Sequence, residues 1–137
     1  MRKVLIATHA QMAEGIKSTA EFIIGEKNNL TFINAYINDI PFKHELDHFK
    51  KDLSEEDEVV ILTDILAGSV NQEVTQLTDR PHTHVITGVN LPLVLGVALA
   101  NDTTYLDADQ LNKIIADAKD AIIYVNEFEP EIDEEDE

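Results

Sequence analysis

The run Glu58-Val59-Val60-Ile61-Leu62-Thr63 is apolar at four consecutive positions, so neither face of an extended segment there is polar. A strand of that kind must be covered on both sides, as happens in the parallel sheet of an α/β domain. Similar runs recur along the chain. Residues 3–8 and 30–35 are mostly branched or apolar and too short for a helix, and residues 84–87 and 121–125 repeat the pattern.

The segments between these runs have helical spacing. Residues 12–24 place Met12, Ala13, Ile16, Ala20, Ile23 and Ile24 on one face, with Gly25 positioned to end the helix in a left-handed cap. A turn over residues 38–41 leads to a helix with Pro41 near its first turn and Phe42, Leu46, Phe49 and Leu53 on one side. Helical character returns over residues 70–77, 91–100 and 107–120, the last opening with Asp107 and Gln110 in the spacing of a capping box. Strands alternating with helices at this spacing imply right-handed crossovers. The expected fold is α/β, a single-domain open sheet of four parallel strands plus a C-terminal fifth strand, with helices on both faces. It occupies residues 1–125.

A chain of 137 residues, 44% of them hydrophobic, suits one core. Such a domain buries roughly two thirds of its unfolded surface. The absence of cysteine excludes disulfides and thiolate chemistry. No apolar run reaches the roughly 18 residues of a membrane span, and no secretory leader is recognisable, so a cytoplasmic protein without direct membrane insertion is expected. The formal charge is −17, and residues 126–137 carry eight acidic side chains and no basic one. That stretch reads as a disordered, solubilising tail. The rest is still acidic, which argues against a nucleic-acid surface and leaves a basic protein partner open.

Three strand-end loops fall on one edge of such a sheet, where ligands of open α/β sheets bind. They are Thr8-His9-Ala10, Asp64-Ile65-Leu66-Ala67-Gly68-Ser69 and Gly88-Val89-Asn90-Leu91-Pro92. His9 alone reads equally as a reactive group or as a solvated loop histidine. Asp64 alone is a loop-turn residue, and Ser69 alone is an N-cap. Together they suggest more. A carboxylate on one ring nitrogen fixes the tautomer and leaves the other nitrogen free to attack, while Gly68 and Ser69 at a helix start suit an anion. A nucleophilic histidine beside an anion site fits phosphoryl capture, with Thr8, Gly68 and Ser69 as candidate phosphate-binding positions. No Walker-type loop is present, so the donor need not be a nucleotide.

The stretches Ile6-Ala7-Thr8-His9-Ala10-Gln11-Met12-Ala13-Glu14-Gly15, Thr63-Asp64-Ile65-Leu66-Ala67-Gly68-Ser69 and Thr87-Gly88-Val89-Asn90-Leu91-Pro92 carry a family resemblance. They are similar to the three site loops of mannose-family enzyme IIA domains of the bacterial phosphoenolpyruvate-dependent sugar phosphotransferase system (PTS). The resemblance runs in order from residue 1 to about 125. It implies that His9 receives a phosphoryl group from the phosphocarrier HPr and passes it to an enzyme IIB, with Asp64 orienting the ring and Ser69 contacting the phosphoryl group. Ala10, Ala67, Gly88, Asn90 and Pro92 would shape the site loops. Two positions depart from the family: Ala10 stands where glycine is common, and Ala67 replaces the first glycine of a Gly-Gly-Ser run. The resemblance further implies a homodimer that exchanges the last strand antiparallel between subunits, near residues 121–125, and it is compatible with association at a membrane permease complex. No cofactor or metal is implied. Two other readings are the phosphotransferase subunit of dihydroxyacetone kinase, whose pattern lacks the Gly-x-Asn-x-Pro loop, and a non-catalytic flavodoxin-like module.

His44-Glu45-Leu46-Asp47-His48 formally matches the zinc-peptidase pattern. Its helix already has a buried side, Lys43, Lys50 and Lys51 flank it, and no third ligand is signalled, so it reads as an exposed helix face. His82 and His84 read as surface residues.

Overall fold

The structure, a computed structural model, describes residues 1–27, 29–66 and 68–130. Strands β1 (Arg2–His9), β2 (Leu30–Ala35), β3 (Glu58–Thr63) and β4 (Thr83–Thr87) form one parallel sheet in the order β2-β1-β3-β4. Helices α1 (Met12–Ile24), α2 (Phe42–Lys51), α3 (Ser69–Thr75), α4 (Leu91–Ala98) and α5 (Ala108–Asp120) cover it. All six residues of β3 are buried, as its unbroken apolar run requires.

Side-chain parity sorts the core into two halves. Val4, Ile6, Val60 and Leu62 point to α1, α4 and α5, where Ala13, Ala20, Leu93, Val97 and Leu111 meet them. Leu5, Ala7, Val59 and Ile61 point the other way, against Phe42, Leu46, Val70 and Val74 of α2 and α3. Three layers result. The chain leaves β1 toward β2 on one side and later adds β3 on the other, so the winding direction reverses between β1 and β3. The crevice of an open α/β sheet lies at such a switch point.

The elements begin and end largely where local chemistry says. Asp107 and Gln110 form the reciprocal capping box of α5, Asn90 caps α4, and Pro41 immediately precedes α2. The helix over 70–77 is shorter than expected, since α3 tightens after Thr75 into a 3-10 turn over Gln76–Asp79. Gly25 follows α1 with φ 89° and ψ 167°, so it uses glycine's freedom but is not the expected left-handed helical cap.

The expected fifth strand is absent from the chain's own sheet. Residues 121–124 form no strand, and a single 3-10 turn, Val125–Glu127, follows. A strand exists only where a neighbour takes its backbone hydrogen bonds, and no described segment pairs with this one. Its apolar side chains are left in solvent, Ile122 at 78% and Val125 at 74% exposure. The acidic tail from residue 131 onward lies outside the described residues. Among the described residues, no helix is long and apolar enough to cross a membrane.

One ionic clamp closes the end of the sheet opposite its carboxyl edge. The Arg2 guanidinium pairs with the buried Glu58 carboxylate and donates to the carbonyls of Ala100, Asn101 and Thr104 at 3.1, 3.0 and 3.2 Å. Glu58 also accepts the Leu106 N–H, so the pair ties the α4–α5 connection to the starts of β1 and β3.

Candidate functional site

The switch point between β1 and β3 brings His9 and Asp64 together. His9 is the last residue of β1, and Asp64 follows the last residue of β3. The register that pairs Ala7 with Thr63 carries Asp64 opposite Thr8, one residue short of His9, within reach of its backbone and ring. One oxygen of Asp64 accepts from the His9 backbone N–H at 3.0 Å and lies 2.8 Å from His9 Nδ1; the other accepts from the Ile65 N–H at 3.0 Å. A carboxylate only accepts, so in the neutral imidazole Nδ1 carries the proton and Nε2 is left with its lone pair.

The environment favours an ionised Asp64. Burial pushes its carboxyl up, but hydrogen bonds from the His9 backbone, the His9 ring and the Ile65 backbone together outweigh that and hold it below its ordinary value. The side chain of Asp64 is 14% exposed and that of His9 37%, which gives an anchored carboxylate and a reachable ring.

Gly68 brings the start of α3 against the ring. A Cβ at this position would stand 2.7 Å from His9 Cε1 and 3.4 Å from Nε2, so only glycine permits the approach. Ser69 follows as the first residue of α3. The loop is braced from beneath by Asn71, which accepts from the Thr63 hydroxyl at 3.0 Å and donates to the Leu66 carbonyl at 3.2 Å.

Sequence reasoning passed over Tyr36. It follows β2, and its ring lies tilted by 35° against the His9 ring with centroids 5.5 Å apart. Its hydroxyl is hydrogen-bonded to the Ser69 hydroxyl. Its position one residue beyond a parallel strand was a usable signal, because it puts the side chain on the same sheet edge as His9.

Other expected residues take framework positions. The Thr8 hydroxyl is fully buried and accepts the Ala13 N–H at 2.8 Å; it caps the start of α1 and does not face the crevice as a phosphate donor would. Ala10 sits at φ 53°, a left-handed conformation that suits the glycine common in the family. Gly88 turns at φ 86°, and Val89 N–H returns to the Thr63 carbonyl at 2.9 Å. Asn90 accepts from Leu93 N–H and donates to the Ala118 carbonyl, joining α4 to α5, while Pro92 lies in the first turn of α4. Ala67 lies outside the described residues.

His44 and His48 line an apolar groove of about 450 Å³ between α2 and β2, whose lining includes neither His9 nor Asp64. His82 stacks on Tyr105 with centroids 3.6 Å apart, and His84 lies within β4. Among the described residues, no three His, Asp or Glu side chains are grouped to hold a metal ion.

Comparison with known proteins gives the chain its relatives. The family described as PTS system fructose IIA component (EIIA-man) matches residues 3–115. The PTS system fructose-specific EIIA component of Bacillus subtilis is 31% identical over 119 residues, covering 85% of this chain and 81% of that protein. The PTS system mannose-specific EIIAB component of Escherichia coli K12 is 28% identical over 106 residues, covering 72% of this chain, which spans only 32% of its length. A solved structure from Klebsiella pneumoniae, described as a phosphoenolpyruvate-dependent sugar PTS permease, superposes with a TM-score of 0.82 at 29% identity, covering 92% of each chain.

Proposed function

Since the chain belongs to the PTS mannose/fructose IIA family, we propose that it carries a phosphoryl group on Nε2 of His9 between two partner proteins. The observation that carries this reading is the 2.8 Å contact between Asp64 and Nδ1, which leaves Nε2 as the free nucleophile. The donor is phospho-HPr and the acceptor an enzyme IIB of a sugar-uptake system, as the family resemblance implies.

The step balances simply. The Nε2 lone pair forms a bond to phosphorus as the N–P bond of the donor histidine breaks, and that electron pair returns to the donor nitrogen. The Nδ1 proton stays in place. Charge that builds on the imidazole is met by the Asp64 carboxylate, which is already ionised and already aligned. Ser69, at the start of α3, supplies a hydroxyl for a phosphoryl oxygen, and Gly68 gives the group room beside the ring. Transfer onward to enzyme IIB is the same step reversed, and no cofactor takes part.

The reading extends to assembly. Residues 122–125 carry a row of exposed apolar side chains, which suits an exchanged antiparallel strand in a homodimer. Association with a membrane permease complex would follow from the enzyme IIB partner. The test of the carrier role is incubation with phosphoenolpyruvate, enzyme I and HPr. One acid-labile, base-stable phosphate is expected on His9, and its survival in His9→Ala would refute the assignment.

A further inference from the structure

We propose that Tyr36 is a positioning residue of the phosphoryl site, orienting the Ser69 hydroxyl toward Nε2 of His9 and covering one face of the imidazole. The proposal rests on the carrier reading above. It is carried by three observations on one side chain. Tyr36 occupies the left-handed region at φ 67°, which a bulky aromatic residue enters only at a steric cost. The core does not hold it there, since the residue is 56% exposed. What it contacts are the two groups that matter, the His9 ring and the Ser69 hydroxyl.

The chemistry follows from hydrogen-bond roles. A phenol donates more readily than an aliphatic alcohol, so the Tyr36 hydroxyl gives its hydrogen to Ser69 Oγ. The Ser69 hydrogen is then directed away from Tyr36, and a Cβ added at Gly68, its neighbour in sequence, would stand 3.4 Å from Nε2, so the start of α3 lies beside the ring. A hydroxyl that accepts one hydrogen bond becomes a better donor in the next, which strengthens its contact with a phosphoryl oxygen. The tilted ring also limits rotation of the imidazole and screens that side from water. Neither Tyr36 nor Ser69 gives up a proton during transfer.

The test loads wild type, Tyr36→Phe, Ser69→Ala and the double variant with potassium phosphoramidate and, separately, with phospho-HPr. Loading is followed by the phosphorus NMR signal of the phosphohistidine. Tyr36→Phe, which keeps the ring and the fold, is expected to load about 5- to 10-fold more slowly, the effect of one lost hydrogen bond. Its phosphohistidine resonance should also move. In the Ser69→Ala background the same change should alter the rate by less than about twofold, because Tyr36 acts through Ser69. Tyr36→Gly, which relieves the backbone strain, should melt at a higher temperature and load more slowly. Wild-type loading and an unshifted resonance in Tyr36→Phe would overturn the proposal, as would effects that multiply in the double variant. Wild-type protein that loads from neither donor would instead overturn the carrier reading, and this proposal with it.

Discussion

At Gly68 a single methyl group would occupy space held by the His9 ring, 2.7 Å from Cε1. Gly68→Ala must therefore rotate or displace the His9 ring, and if His9 is the proposed carrier a displacement of that size should slow phosphoryl transfer by about 100-fold. Far-ultraviolet circular dichroism should remain that of the wild type. Ala10 raises the opposite case. Its left-handed φ of 53° strains an alanine, so Ala10→Gly should stabilise the fold by about 0.5–1 kcal/mol, read from the urea midpoint. Asp64 links the site to pH. Its carboxyl is held below its ordinary value, so its stabilising contribution is complete above about pH 4–5 and disappears as pH falls through the lowered folded value. Wild type should accordingly be more stable than Asp64→Asn at pH 6, and the difference should shrink as pH falls below the ordinary carboxylate range in denaturation curves. At this scale the sequence showed that His9, Asp64 and Ser69 stand in strand-end loops of one sheet edge. It did not show that Thr8 is consumed as a cap, because a threonine beside a strand end can face a crevice or a helix with equal ease.

Among the elements, β3 and the α5 cap were the most legible, since an unbroken apolar run and a reciprocal Asp107–Gln110 pair depend only on neighbours in sequence. The clamp between Arg2 and Glu58 was not legible. No local pattern distinguishes charged residues at strand starts that face solvent from ones that pair, and here they are buried and joined between neighbouring strands. Arg2→Met would leave the Glu58 carboxylate buried with no cation, and unfolding in urea should report a loss of about 3–5 kcal/mol. The double change Arg2→Met with Glu58→Leu should recover part of that loss, because no charge is then left without a partner. The 121–125 segment is the opposite case. Its composition is that of a strand, but strand formation requires a ladder, and no described segment of the chain offers one.

For the whole molecule, that unpartnered segment is where assembly would begin. Sedimentation of the protein at micromolar concentration is expected to give the mass of two chains, and Ile122→Glu combined with Val125→Glu is expected to give one. A wild-type mass of one chain would refute the exchanged-strand dimer. The sequence by itself determined the alternation of strands and helices, the two-faced burial of the sheet, and the placing of His9, Asp64 and Ser69 on one edge. All of these follow from periodicity along the chain, where each residue reports its own burial. Tertiary structure alone decided the strand order that sets His9 against Asp64, 55 positions apart in sequence, and that brings Tyr36 to Ser69, 33 apart. Such pairs are made through space. Their geometry depends on which strands become neighbours and on how closely Gly68 lets a helix approach a ring, and no local pattern encodes either.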